Sequence, residues 1–167
     1  MLKPYAHMSK TEWLSRMKMI YYVLYALIIA LFGVIWYLNY ESLQTTGEPY
    51  KLVDPSETAG MIIQYGAIIY TLASIPGALF GMKRACAKIA LIEDEDTKYD
   101  TYYAYANLRM TLVALAAALS LAAYMILGAH KPMIWLAAIG AVALVFTKPS
   151  AAKTEEELRP QDPNTQY

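Results

Sequence analysis

This 167-residue chain has one cysteine, two histidines and no net charge, so it is short of the groups on which most chemistry depends. Fourteen Lys and Arg balance fourteen Asp and Glu, which removes the basic footprint that a nucleic-acid binder needs. With Cys86 alone, neither an intrachain disulfide nor a cysteine metal cluster can form within one chain. His7 and His130 both lie outside the apolar stretches, so no haem can be slung between two intramembrane histidines, and no H-E-x-x-H zinc helix exists. Ser-His-Asp order, a nucleophile elbow and a phosphate-cradling glycine loop are likewise missing. No catalytic site and no cofactor are expected.

The most telling absence is local. None of the charged residues falls within Met19–Leu38, Gly60–Met82, Met110–Ala129 or Pro132–Thr147. These stretches hold 20, 23, 20 and 16 residues. As helices, the first three reach about 30 Å or more, enough for a hydrocarbon core of about 30 Å, and the last about 24 Å. The expectation is an all-α integral membrane protein, a four-helix bundle over residues 1–148 followed by a disordered tail over 149–167. The fourth stretch is short, with a re-entrant or interfacial course as the alternative; Lys131 and Lys148 can snorkel at its ends. The first reads as a retained signal anchor, because Glu12 and Trp13 precede it and no A-x-A motif precedes Asn39-Tyr40-Glu41.

Twelve of the 14 Lys and Arg lie in Met1–Lys18, in the connection between the second and third stretches, or beyond Thr147. Only Lys51 and Lys131 lie on the opposite side. The basic side is expected to be cytoplasmic, which places both termini there in a multi-pass protein of the cell membrane, the inner membrane if bacterial. Tyr21, Tyr22 and Tyr25 at one end of the first stretch, Trp36, Tyr37 and Tyr40 at the other, and Trp135 read as interfacial girdles.

Punctuation sets the expected helix ends. Ser9-Lys10-Thr11-Glu12 fits a capping box, and Asp54-Pro55-Ser56-Glu57 a helix start with Asp54 as cap and Pro55 first in the helix. Tyr40–Val53 reads as an irregular loop and Gly128–Pro132 as a tight turn. Between the second and third stretches, Ala85, Ile89 and Ile92 form one apolar stripe, and Tyr99, Tyr102, Tyr103 and Ala106 another. The pattern predicts an antiparallel helical hairpin beyond the membrane, broken at Glu93–Thr97. The tail, with its prolines and the Glu155–Glu157 run, is expected to hold at most one helical turn.

Small residues supply the packing candidates. Ala73, Gly77 and Gly81 recur on the second stretch, Ala114, Ala118 and Ala122 on the third, and Ala137, Gly140 and Ala141 on the fourth. They are expected to build the interior of the bundle, with an oligomer contact as the alternative for Gly77 and Gly81. Pro76 should kink its helix, with Thr71 or Ser74 engaging the freed backbone. Gln64 is the one deep amide, and no ionisable group marks an ion path. Glu93, Asp94, Glu95 and Asp96 lack the glycine and spacing of a calcium loop and read as an exposed turn suited to a partner contact. The expected role is an accessory, assembly or scaffolding subunit in the lipid bilayer that meets a membrane-protein partner; the alternative is a small-solute transporter or channel working as a homo-oligomer.

Overall fold

The computed structural model of the chain describes residues 10–159. Those residues form five α-helices and no strand: α1 (Lys10–Thr46), α2 (Thr58–Ile89), α3 (Glu95–Ile126), α4 (Lys131–Phe146) and α5 (Ala151–Glu157). Three of them, α1 to α3, are long and apolar enough to cross a membrane. A fourth qualifies if α4 and α5, which meet at an 84° bend, are counted as one broken span. The first two charge-free stretches lie wholly within α1 and α2, while the third ends in the turn after α3 and the fourth one residue beyond α4.

The central helix is α3, packed by α1, α2 and α4. Half of its apolar stretch, 50%, is buried, against 17% for those of α1 and α2. Val113, Ala116, Ala117, Ser120 and Ala123 bring it close to its neighbours. Small residues allow this close approach of backbones. The tightest approach is α3 to α4 at Gly140, where an added Cβ would lie 2.9 Å from the Ala117 nitrogen. Ala137 and Gly140 are buried as expected, and so is Ala114, but Ala118, Ala122 and Ala141 are only half-buried. The turn Leu127–His130 between α3 and α4 takes positive φ at Gly128 and Ala129, and Leu52 and Val53 donate their amides to the Ile126 carbonyl.

Several local expectations need correction. Helix α1 runs through Tyr40 to Thr46, so the connection after it is shorter than expected. Helix α2 starts at Thr58, not at Pro55. Asp54 instead closes a small turn, accepting from the Ser56 amide at 2.9 Å and the Ser56 hydroxyl at 2.6 Å, with Lys51 at 3.2 Å. These bonds, the Ser56 hydroxyl first, draw its carboxyl down to about 2. The break in the hairpin starts and ends earlier than expected: α2 ends at Ile89 and α3 begins at Glu95, so Glu93 and Asp94 lie in the break, with Asp94 capping α3 by accepting from the Thr97 amide at 3.0 Å. Carboxylates at Glu95 and Asp96 suit the positive end of a helix dipole, so the second half of the run starts a helix. Ser9 of the expected capping box lies outside the described residues.

Helix α2 continues unbroken through Pro76. Thr71 bonds the Ser120 hydroxyl at 3.2 Å and not the freed backbone, while Ser120 donates to the Ala116 carbonyl at 2.8 Å. Trp36, Tyr37, Tyr40 and Trp135 are exposed as girdle residues should be, whereas Tyr21 is buried in the core against Tyr22 and Tyr25.

Candidate functional site

The apolar hairpin stripes meet as expected. Tyr102 and Ala106 are buried with Ile89, and Ala85, Ile92, Tyr99 and Tyr103 pack around them. The first two turns of α1 close over this end. Trp13 contacts Tyr103 at 4.7 Å between ring centres, and the Lys10 ammonium sits 4.9 Å above the Tyr99 ring and 3.4 Å from Glu95.

Helix α5 seals the same end, so the expectation of a disordered tail is revised for residues 149–159, while 160–167 lie outside the described residues. Pro149 cannot continue α4, and the Ser150 hydroxyl accepts from the Lys153 amide at 3.2 Å, capping a new helix. Two turns later α5 presents Thr154, Glu157 and Leu158 inward, with Leu158 only 5% exposed. Glu157 receives the Tyr102 hydroxyl at 2.7 Å and Nη1 of Arg109 at 3.0 Å. Tyr102, Ala106 and Arg109 fall at i, i+4 and i+7 on α3, so a single helix face supplies both donors. The Arg109 side chain is 6% exposed and that of Glu157 21%, making this the one buried ion pair among the described residues.

Burial controls titration around the pair. The Tyr102 hydroxyl is pushed well above the usual phenol range by burial. The Cys86 thiol rises to about 11, again through burial first and then the Glu157 carboxylate. A thiol so protonated is a poor nucleophile, so its neighbours Arg84 and Lys88 do not activate it. The Lys153 amine, which donates to the Phe146 carbonyl, is held below its ordinary value by burial and by Arg109.

Family models, curated proteins and solved structures offer no match to this chain. Its functional reading therefore rests on its own geometry.

The residues singled out for packing and for partner contact are placed differently from one another. Ala73, Gly77 and Gly81 are all exposed, and a Cβ added at Gly77 or Gly81 would meet nothing within 4 Å. The interior of the bundle is therefore not built on them; α2 turns Ala67, Thr71, Ala78 and Met82 inward instead. Glu93, Asp94, Glu95 and Asp96 are exposed at the hairpin tip. Asp94 works locally as a cap and Glu95 stands beside Lys10.

At the opposite end, two concavities open outward. One, of about 540 Å³, lies between the Glu48–Lys51 segment and the His130 turn; the other, of about 270 Å³, lies between Ile35, Asn39, Tyr124 and Ile134. Neither holds a paired acid and base. Among the described residues no three His, Cys, Asp or Glu side chains converge as a metal ion requires.

Arg109 and Glu157 were not legible as a pair in the sequence. The traces in the sequence are Arg109, which continues the Tyr102–Ala106 face, and Pro149-Ser150, a helix start signal.

Proposed function

We propose that the chain is a multi-pass subunit of the cell membrane, with both termini and the α2–α3 hairpin in the cytoplasm, that supports the assembly or positioning of a membrane-protein partner and carries out no catalysis itself. The observation that carries this reading is the low coverage of α1 and α2. Their apolar stretches are 17% buried, which leaves long apolar faces for lipid and for a partner helix. The middle of the bundle favours the same view. Two of its buried hydroxyls, Thr71 and Ser120, bond each other and are not left to line a polar path. At the hairpin tip, Glu93 to Asp96 present negative charge to a basic partner surface, an attraction that weakens with salt.

Topology is tested by single cysteines in a Cys86→Ser background. Lys51→Cys should react with a membrane-impermeant maleimide in intact cells, and Glu93→Cys only after permeabilisation. The reverse pattern ends the orientation. The partner role is tested by purification in mild detergent with Glu93→Gln, Asp94→Asn, Glu95→Gln and Asp96→Asn combined. Asn at position 94 still caps α3, so the fold should survive. A stoichiometric partner recovered with the unaltered chain and lost with this variant at low salt is the expected result. A homo-oligomer with no partner would replace this reading with the small-solute transporter or channel.

A further inference from the structure

The exposed glycines of α2 do not face a bare surface. Gly77, Gly81, Tyr105, Leu108, Leu112 and Arg109 line a groove of about 130 Å³ between α2 and α3. The floor is open, since a Cβ at either glycine would touch nothing within 4 Å. Leu108 and Tyr105, exposed by 53% and 45%, form the outer wall. The charged part of the lining is Arg109, and Tyr105 adds a hydroxyl. Its Nη1 is committed to Glu157, but its Nε is buried with no acceptor among the described residues. A guanidinium N–H only donates, and a buried one without an acceptor is costly.

We propose that this groove binds one anionic glycerophospholipid, with a phosphate oxygen accepting from Arg109 Nε and an acyl chain lying along Leu108 and Leu112. The proposal rests on the membrane reading given above, and three observations select this occupant. Arg109 immediately precedes Met110, where the third charge-free stretch begins, so its guanidinium stands at the level of a headgroup. Arg84 lies at i+7 from Gly77, on the same face of α2, and is exposed, so a second cation stands on that face beyond the groove. A partner helix is the poorer fit, because its carbonyls are already engaged within its own backbone and offer Nε no free acceptor. Arg109 is neutralised by Glu157, so the uncompensated charge is that of Arg84, which favours a lipid with a net negative headgroup over a zwitterionic one.

The test begins with alkaline carbonate extraction of membranes. A chain found in the supernatant overturns the membrane reading and the lipid site with it; a chain in the pellet leaves the lipid site to be judged alone. The purified protein is then titrated in mild detergent with dioleoyl phosphatidylglycerol or dioleoyl phosphatidylcholine, and bound lipid is counted by native mass spectrometry. The expected result is one phosphatidylglycerol retained in preference to phosphatidylcholine. Gly81→Leu fills the groove and Arg109→Lys removes Nε while keeping a cation for Glu157. Each should weaken retention by about tenfold or more, the worth of one hydrogen bond to a charged group. The lipid-free thermal midpoint of Gly81→Leu should match that of the unaltered chain, which separates loss of the site from loss of the fold. Equal retention of the two lipids, or unchanged retention in Gly81→Leu, overturns the proposal. So does equal stabilisation by inorganic phosphate, which assigns the site to a soluble anion. Efficient disulfide dimers of Gly81→Cys in a Cys86→Ser background also overturn it, by assigning the groove to a second copy of the chain.

Discussion

Removing the Glu157 carboxylate would leave the Arg109 guanidinium at 6% exposure with no counter-charge and take from the Tyr102 hydroxyl its carboxylate acceptor, with only Thr154 beside it. Deleting one member of a buried ion pair costs about 3–5 kcal/mol. Two features of the structure lower that figure. Glu157 is itself 21% exposed, so part of its interaction is screened by solvent. It also sits on a seven-residue helix that can detach locally and let water reach Arg109. The expected cost of Glu157→Leu is therefore about 2–3 kcal/mol. Replacing both members, as in Arg109→Met with Glu157→Leu, should recover all but about 1 kcal/mol, because the isolated charge disappears along with its partner. The assay is equilibrium unfolding in mixed micelles of a nonionic detergent and sodium dodecyl sulfate, followed by circular dichroism. Trypsin cleavage after Lys153, which lies within α5, reports its detachment in parallel. If Glu157→Leu changes neither signal, or if the double variant is weaker than the single one, the pair does not hold α5 and the reasoning fails.

Three further outcomes follow from the same geometry. Gly140→Val should destabilise the α3–α4 hairpin by about 1–3 kcal/mol through overpacking, because a Cβ there already meets Ala117 at 2.9 to 3.0 Å; Gly77→Ala, with nothing within 4 Å, should be near neutral, and equal effects in unfolding would contradict this placement. Cys86, buried beside Leu158 with its thiol raised to about 11, should react slowly with N-ethylmaleimide at neutral pH, and Leu158→Ala should speed labelling by opening the core; fast labelling of the unaltered chain would contradict the docking of α5. Asp54 has a folded-state pKa depressed from its ordinary 3.8 to about 2, so its contribution is full above 3.8 and is lost as pH falls toward 2. Hydrogen exchange at the Ser56 amide, taken relative to its intrinsic rate at each pH, should accelerate over that window in the unaltered chain and show no such dependence in Asp54→Ala.

Some elements could be read from local order. The four charge-free stretches, the turn at Gly128 and the Tyr102–Ala106 stripe against Ile89 all depend on residue character at fixed spacing, and spacing survives folding. The acidic run was misread by a few residues because carboxylates that repel one another in the middle of a helix are favourable in its first turn. Position 54 was misread because Asp54 found a nearer partner in Ser56 than in the helix it precedes.

The composition and periodicity of the sequence determined on their own that the chain is helical, how many apolar stretches it has and which residues share a helix face. Only the tertiary structure decided which of those faces meet. Ala73, Gly77 and Gly81 share a line on α2 as firmly as Ala137 and Gly140 are paired on α4, yet the first set is exposed and the second buried. In a helix surrounded by apolar groups on every side, hydrophobicity no longer separates inside from outside, and the choice falls to close contacts such as Gly140 against Ala117. The same holds for α5: two helical turns are marginal by themselves, and what makes them a helix is Leu158 in the core and Glu157 against an arginine 48 residues earlier in the chain.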